Sequence, residues 1–262
     1  MSAPVFLVEA GDLDGVLAGG TFLLGGAEGR HAGVVQRRAP GERVDVVDGA
    51  GVRLRATVRS VTADGVQLDV AERVEEAAPP VRLVLVQALA KGDRDELAIE
   101  AATEVGADGV LPWQAERSVV VWRGDRAAKS RARWVGTVRA ATKQSRRARV
   151  PDVGTAVDTG GLVQRVGAVT SSGGAALVLH EEARTALAAA ALPDVESHAG
   201  PSPDGRDVLV VVGPEGGISA RELALLEEAG AVAVRLGPHV LRTSTAGPVA
   251  LAMLAERLGR WA

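Results

Sequence analysis

The chain has no cysteine, no tyrosine, two phenylalanines and four tryptophans in 262 residues. Without cysteine there is no disulfide framework, no thiolate metal site and no thiol nucleophile, so thiolate attack on a pyrimidine C5 is excluded. So few aromatics leave little for base stacking, which disfavours a sheet of stacking rings as an RNA platform. No apolar run approaches the roughly 18 residues that a membrane helix needs. The opening stretch MSAPVFLVEAGDLDG shows neither a basic region nor a long apolar one, so no export signal is read there. A cytoplasmic protein with no membrane partner is the expectation. Four scattered histidines and no HExxH argue against a metal hydrolase, and the lack of GxSxG opposes an esterase. No metal is expected.

What is present is 47% hydrophobic and 24% charged, the profile of a globular chain with ample cores. The net charge of −3 hides an uneven distribution. Between Ala115 and Val150 stand eleven basic residues against Glu116 and Asp125 only, a surplus of nine that leaves −12 elsewhere. A basic block in an acidic protein is an electrostatic footprint for phosphates, although a solvated helix face would have the same composition.

The first seventy-odd residues read as short strands: VFLV, RVDVVD (43–48), VRLRATVRSV (52–61) and GVQLDV (65–70). Turn signals at Asp48-Gly49 and Asp64-Gly65 separate them, and one short helix is expected around His31 to Arg37. The acidic ERVEEAAPP ends this unit, because Pro79-Pro80 suits neither a sheet interior nor a helix. Strand–helix alternation follows. VRLVLVQAL (81–89), GVLPW, ALVLH (176–180), DVLVVVG (207–213) and AVAVRLG (231–237) read as buried strands. Helices are expected after an Asp93–Glu96 capping box, around Trp134 and Val138, and from near Glu182, Ala220 and Gly247. Stretches 170–175 and 197–205 read as loops. Such alternation predicts a parallel sheet covered by helices, with ligands at the carboxyl ends of its strands.

Two strand-to-helix connections stand out. In VVVGPEGGISARELALLEEAG (210–230), three glycines, a proline and a carboxylate fill five residues before a helix with a Ser219–Glu222 capping box. Glycines there let backbone N–H groups approach a ligand closely, and a tight connection alone would need fewer. The spacing matches neither GxGxxG nor GxxxxGK[ST], so dinucleotide and nucleoside-triphosphate binding lose their main support. In LGPHVLRTSTAGPVALAMLAERLGRW (236–261), one of Thr243, Ser244 and Thr245 is expected to cap the last helix, with Pro248 in its first turn. His239 alone is more often a surface residue than a catalyst.

GPEGGIS (213–219) followed by LGPHVLRTSTA (236–246) resembles the signature of the RsmE-type ribosomal RNA methyltransferases of the SPOUT, or trefoil-knot, superfamily. The likeness extends to KGDRDELAIEAATEVGADGVLPWQAERSVV (91–120), to RARWVGTVRAATKQSRRARVP (131–151), and to His31 with GERVDVVDGAG (41–51). The chain departs from the family where Glu100-Ala101 replaces Gln-Lys, where Ser244 replaces Glu, and at Ala140 and Lys143, which replace acidic positions.

The resemblance implies an α/β fold: a PUA-like RNA-binding β-barrel over 1–76, then a SPOUT parallel sheet with a trefoil knot over 80–262. It implies S-adenosyl-L-methionine as cofactor, a homodimer, and methylation of uridine N3 in 16S ribosomal RNA within the small subunit. The implied cofactor residues are Leu179, His180, Gly213, Glu215, Gly216, Gly217, Leu236, Gly237, Leu241, Arg242 and Thr243. Glu215 and Arg242 are the candidate catalytic groups. The RNA-binding candidates are His31, Arg37, Arg38, Lys91, Arg94, Arg117, Arg133, Gln144, Arg146 and Arg147. A tRNA methyltransferase of the same superfamily and a non-catalytic RNA-binding module are the competing readings.

Overall fold

The computed structural model describes residues 3–194 and 206–261, so the loop read at 197–205 lies outside the described residues. Two compact units emerge: residues 1–78 with 142–150, and residues 79–141 with 151–262. The segment 142–150, which the sequence reading leaves in the second domain, belongs to the first unit. Its attachment is made by arginines: Arg149 donates to the Glu76 carbonyl from Nη2 at 2.7 Å, and Arg53 Nη2 to the Arg146 carbonyl at 2.8 Å. No periodicity signals a return of this kind.

The first unit holds β1 (Val5–Leu7), β2 (Thr21–Leu24), α1 (Gly26–Arg30) running into a π-helical turn at His31–Val35, β3 (Arg43–Val47), β4 (Val52–Thr62) and β5 (Gly65–Glu75). The strands form one sheet in the order β1-β3-β4-β5-β2, with β1 parallel to β3 and the remaining pairs antiparallel. The path is an open, curled half-barrel. Alternation along β4 and β5 turns Leu54, Val58, Leu68 and Val70 inward against Phe6, Leu24 and Val46, all nearly inaccessible to solvent. The helix read near His31 starts five residues earlier than that histidine.

The second unit comprises β6 (Val81–Ala88), α2 (Arg94–Glu104), β7 (Gly109–Gln114), most of α3 (Asp125–Gln144), β8 (Asp152–Val153), β9 (Val157–Asp158), α4 (Thr159–Ser171), β10 (Ala175–Leu179), β11 (Thr185–Ala186), β12 (Arg206–Val212), α5 (Ala220–Glu228), β13 (Val232–Arg235) and α6 (Thr243–Arg257). Its sheet is parallel throughout, in the order β11-β13-β10-β12-β6-β7-β8, with β9 also beside β7. Buried runs such as Val208–Val212 and Leu83–Val86 are sandwiched between helices, as parallel strands require. Among the described residues no helix is long and apolar enough to cross a membrane.

Four local expectations fail, each for a physical reason. Residues after Glu182 form a turn, the short β11 and a single 3₁₀ turn at Leu187–Ala189, where the chain pairs with β13 rather than coiling. Asp93 precedes α2, but its side chain caps nothing; Asp95 Oδ1 accepts the Glu96 N–H instead. The last helix begins at Thr243, not near Gly247, with no side-chain cap, and Pro248 sits inside it beyond the first turn. The loop read at 170–175 shrinks to three residues, because α4 runs to Ser171 and β10 starts at Ala175. Helix α4 itself was not anticipated, although Asp158 caps it by accepting the Gly161 N–H at 2.8 Å.

Candidate functional site

The carboxyl ends of β10, β12 and β13 open onto a cavity of about 930 Å³. Crossover connections leave this end of a parallel sheet free for ligands, and their loops form its walls. One wall is the 213–218 turn, a second is 179–182, and a third is the 235–243 loop. Every residue expected to contact the cofactor therefore lines one cavity: Leu179 and His180 after β10, Gly213, Glu215, Gly216 and Gly217 after β12, and Leu236, Gly237, Leu241, Arg242 and Thr243 after β13. Arg94 and Arg117, expected on RNA, also border it.

The 213–219 turn is locally built and laterally gripped. Gly217 holds φ +73°, a left-handed conformation that glycine adopts without penalty. Behind it, Ser219 Oγ accepts the Glu222 N–H at 3.1 Å and Glu222 Oε2 accepts the Ser219 N–H at 3.1 Å, so the capping box forms. The other Glu222 oxygen accepts the Thr159 hydroxyl at 2.7 Å and the Glu116 N–H at 2.8 Å. This fully buried carboxylate thus ties α5 to α4 and to the segment after β7. In front, Arg94 Nη1 donates to Glu215 Oε1 at 2.8 Å, the Lys91 N–H to the same oxygen at 3.1 Å, and Arg117 Nη1 to the Gly216 carbonyl at 2.9 Å. Partial burial alone would raise the Glu215 carboxyl, but these N–H donors and the Arg94 charge outweigh it and hold the group below its ordinary value.

The 236–242 loop is held from below. Gln87, fully buried at the end of β6, donates from Nε2 to Thr243 Oγ1 at 2.8 Å, and Thr243 donates to the Gly213 carbonyl at 2.9 Å. One of the three hydroxyls offered as caps for α6, that of Thr243, is consumed in this relay, which joins the two cavity-lining connections. Arg242 is exposed at the cavity, and among the described residues no carboxylate pairs with its guanidinium. His180 is half-buried, and its Nδ1 accepts the Glu182 N–H at 3.3 Å. Gln87 and Thr159 were not singled out from sequence, and Glu222 only as a cap; the bonds that join these residues across the fold reach partners many residues away.

The RNA candidates are divided between the two units. His31, Arg37, Arg38, Gln144, Arg146 and Arg147 belong to the first unit, and Lys91, Arg94, Arg117 and Arg133 to the second. His31 Nε2 lies 2.9 Å from Gln36 Nε2, and its ring meets Phe6 edge-on. Arg38 bonds Gln36 and Glu42, Arg37 and Arg146 take positive φ at exposed positions, and Gln144 is exposed. Arg133 pairs with Glu96 at 2.5 Å. Several members of the basic block serve structure rather than solvent: Arg131 bonds the Val153 carbonyl, Lys143 pairs with Glu28 at 2.6 Å, and Arg149 holds Glu76.

Residues 77–255 match the model of a family described as an RNA methyltransferase domain. The chain is 46% identical to ribosomal RNA small subunit methyltransferase E of Mycobacterium bovis, over 93% of this chain and 89% of that one. It is 33% identical to the Bacillus subtilis protein of the same name, over 90% of each. The crystal structure of a ribosomal RNA small subunit methyltransferase E from Neisseria gonorrhoeae bound to S-adenosyl methionine superposes with a TM-score of 0.75, at 27% identity over 98% of both chains.

Proposed function

The chain belongs to the RNA methyltransferase family that includes the small-subunit ribosomal RNA methyltransferases E, and from that premise we propose that it uses S-adenosyl-L-methionine to methylate N3 of a uridine in 16S ribosomal RNA. The observation that carries this reading is the convergence of both signature connections, residues 213–219 and 236–243, on one cavity at the carboxyl ends of the sheet. The first unit, read as 1–76 and joined by 142–150, is taken as RNA-binding and the rest of the chain as the methyltransferase unit, acting as a homodimer in the cytoplasm.

The cavity's residues fit such a cofactor. Leu179, Leu236 and Leu241 offer apolar walls for an adenine ring, and Glu181 and Glu182 offer negative charge to a cationic sulfonium compound. A Cβ at Gly237 would meet nothing within 4 Å, so the loop leaves open space above its backbone. S-adenosylmethionine, when bound, supplies an electrophilic methyl group. The chain itself must orient the uracil and stabilise the negative charge that develops as N3 loses its proton.

Arg242 suits the second of these roles, because its exposed guanidinium borders the cavity and is not consumed by a carboxylate among the described residues. It donates to the uracil carbonyl beside N3 and holds the charge as the N3 proton passes to solvent water. Glu215 is less suited to take the proton, because two donors already occupy one of its oxygens and its carboxyl is held below the ordinary value. It acts by fixing Arg94 and the Lys91 backbone at the cavity rim. Nucleoside analysis of ribosomal RNA from cells lacking the protein tests the reading. Loss of 3-methyluridine from 16S RNA, restored by re-expression, is expected; an unchanged 3-methyluridine content rules the assignment out.

A further inference from the structure

A second cavity, of about 780 Å³, lies in the same unit among the segment after β6, the segment after β7 and the first half of α3. Arg126 and Lys129, both exposed, and the hydroxyl residue Ser130 stand on its α3 side; Val120 and Trp122 form an apolar side. Asp95, only 2% exposed, lies at its base. The carboxylate accepts the Glu96 N–H at 2.9 Å, and the Ala90 backbone also bonds it. Burial pushes the Asp95 carboxyl up to about 6, against the pull of those N–H groups, so near neutral pH the fold carries an ionised acid in a place that disfavours it. Holding the loop does not require that charge, since an asparagine oxygen accepts the same N–H bonds. Arg133, which also lines the cavity and is engaged at Nε by Glu96, opposes the effect of burial but does not outweigh it.

A lone phosphate would meet Arg126 and Lys129 favourably but would be repelled by Asp95. A nucleotide satisfies both: its phosphate faces the cations, and its base offers an N–H to the buried carboxylate, as carboxylates accept from base amino groups. The volume is in the usual range for a ligand site. We propose that this cavity is a subsite for one nucleotide of the RNA strand, other than the one being methylated, with its phosphate on Arg126 and Lys129 and a base N–H donated to Asp95. The inference rests on the RNA methyltransferase reading above and assigns recognition to residues outside the cofactor cavity.

The four ribonucleoside 5′-monophosphates, titrated separately into the full-length protein, provide the test, with the Trp122 indole N–H resonance as reporter. That resonance should shift, more for some bases than for others. Arg126→Glu with Lys129→Glu should abolish the shift and weaken binding of 16S RNA fragments by roughly tenfold, with a shallower salt dependence. In Asp95→Asn the single oxygen serves the Glu96 and Ala90 N–H groups and the amide NH₂ can only donate, so the variant should keep the phosphate-dependent shift but reduce the difference between bases to about twofold or less. Calorimetric S-adenosylmethionine affinity should stay unchanged in both variants. Absence of any shift in the wild type overturns the subsite, as does a base preference that survives Asp95→Asn, which would make Asp95 only a loop anchor. Nucleotide binding without any methylation of ribosomal RNA would sink the functional reading while leaving the subsite standing; methylation without nucleotide binding would do the reverse.

Discussion

The turn at 213–219 and the loop at 236–242 border one cavity, yet they are held by different means. The first is fixed close to home: Ser219 and Glu222 exchange hydrogen bonds three residues apart, and Gly217 supplies the left-handed bend. The second has no side-chain cap on the helix that follows it. Its anchor is Thr243, bonded to Gln87 across 156 residues of chain and to the Gly213 carbonyl. A local cap survives wherever its helix forms, whereas a relay through a buried glutamine requires β6, β12 and α6 to be assembled together. The first loop accordingly takes its shape from its own sequence before Arg94, Lys91 and Arg117 grip it, whereas the second is set by the finished fold, with Arg242 left at the cavity unpaired by any described carboxylate.

The largest effect should come from Arg242, the group this asymmetry leaves available. Arg242→Ala should lower the single-turnover methylation rate at saturating cofactor and RNA by about a hundred- to a thousandfold, the usual worth of stabilising charge in a transition state. Arg242→Lys keeps charge but loses the planar fork and should recover only part of the rate. A loss accounted for wholly by weaker cofactor or RNA binding would move Arg242 to the binding role.

Thr243→Val probes the long-range anchor directly. Valine keeps the shape but removes the donor to Gly213 and the acceptor for Gln87, leaving buried polar groups short of partners at about 1–3 kcal/mol each. Denaturant melts should show a loss of roughly 2–4 kcal/mol, and Thr243→Ser should restore most of it. Ser219→Ala removes the cap and a hydrogen bond to the solvent-facing Glu116 carboxylate. That variant should lose about 1 kcal/mol, the worth of the cap. Equal losses in the two variants would erase the distinction between the loops.

The same distinction explains what could be read from the residues alone. The Ser219–Glu222 box was legible because both partners and their spacing sit in one short stretch, and the buried strands Val208–Val212 and Leu83–Val86 because their apolar runs are continuous. The cavity's lining followed from the two signature motifs and their resemblance to a known family. Thr243's true partner was not legible, since nothing near it names Gln87. Nor was the attachment of 142–150 to the first unit, which depends on Arg53 and Arg149 reaching backbone carbonyls far along the chain. Helix α4 was missed although Asp158 marks its start, because glycines 160 and 161 dilute the helical pattern.

The smallest effect concerns the one electrostatic grip on the first loop. Arg94 and Glu215 are well exposed, their side chains 46% and 30% accessible, so solvent screening limits the pair to about 0.5 kcal/mol. The Glu215 carboxyl is held below its ordinary value by N–H donors and Arg94 against the opposing effect of partial burial. A depressed folded-state carboxyl contributes stability above its unfolded value, and that contribution disappears as pH falls through the folded one. Cofactor affinity measured by calorimetry should therefore be level at neutral pH and decline only in acid, below the normal carboxylate range. In Glu215→Gln, which cannot titrate and pairs weakly with Arg94, this component of the acid decline should vanish and neutral-pH affinity should fall by about two- to threefold. An acid decline of the same size in Glu215→Gln would show that the grip on residues 213–219 comes from the capping box and Arg117 alone.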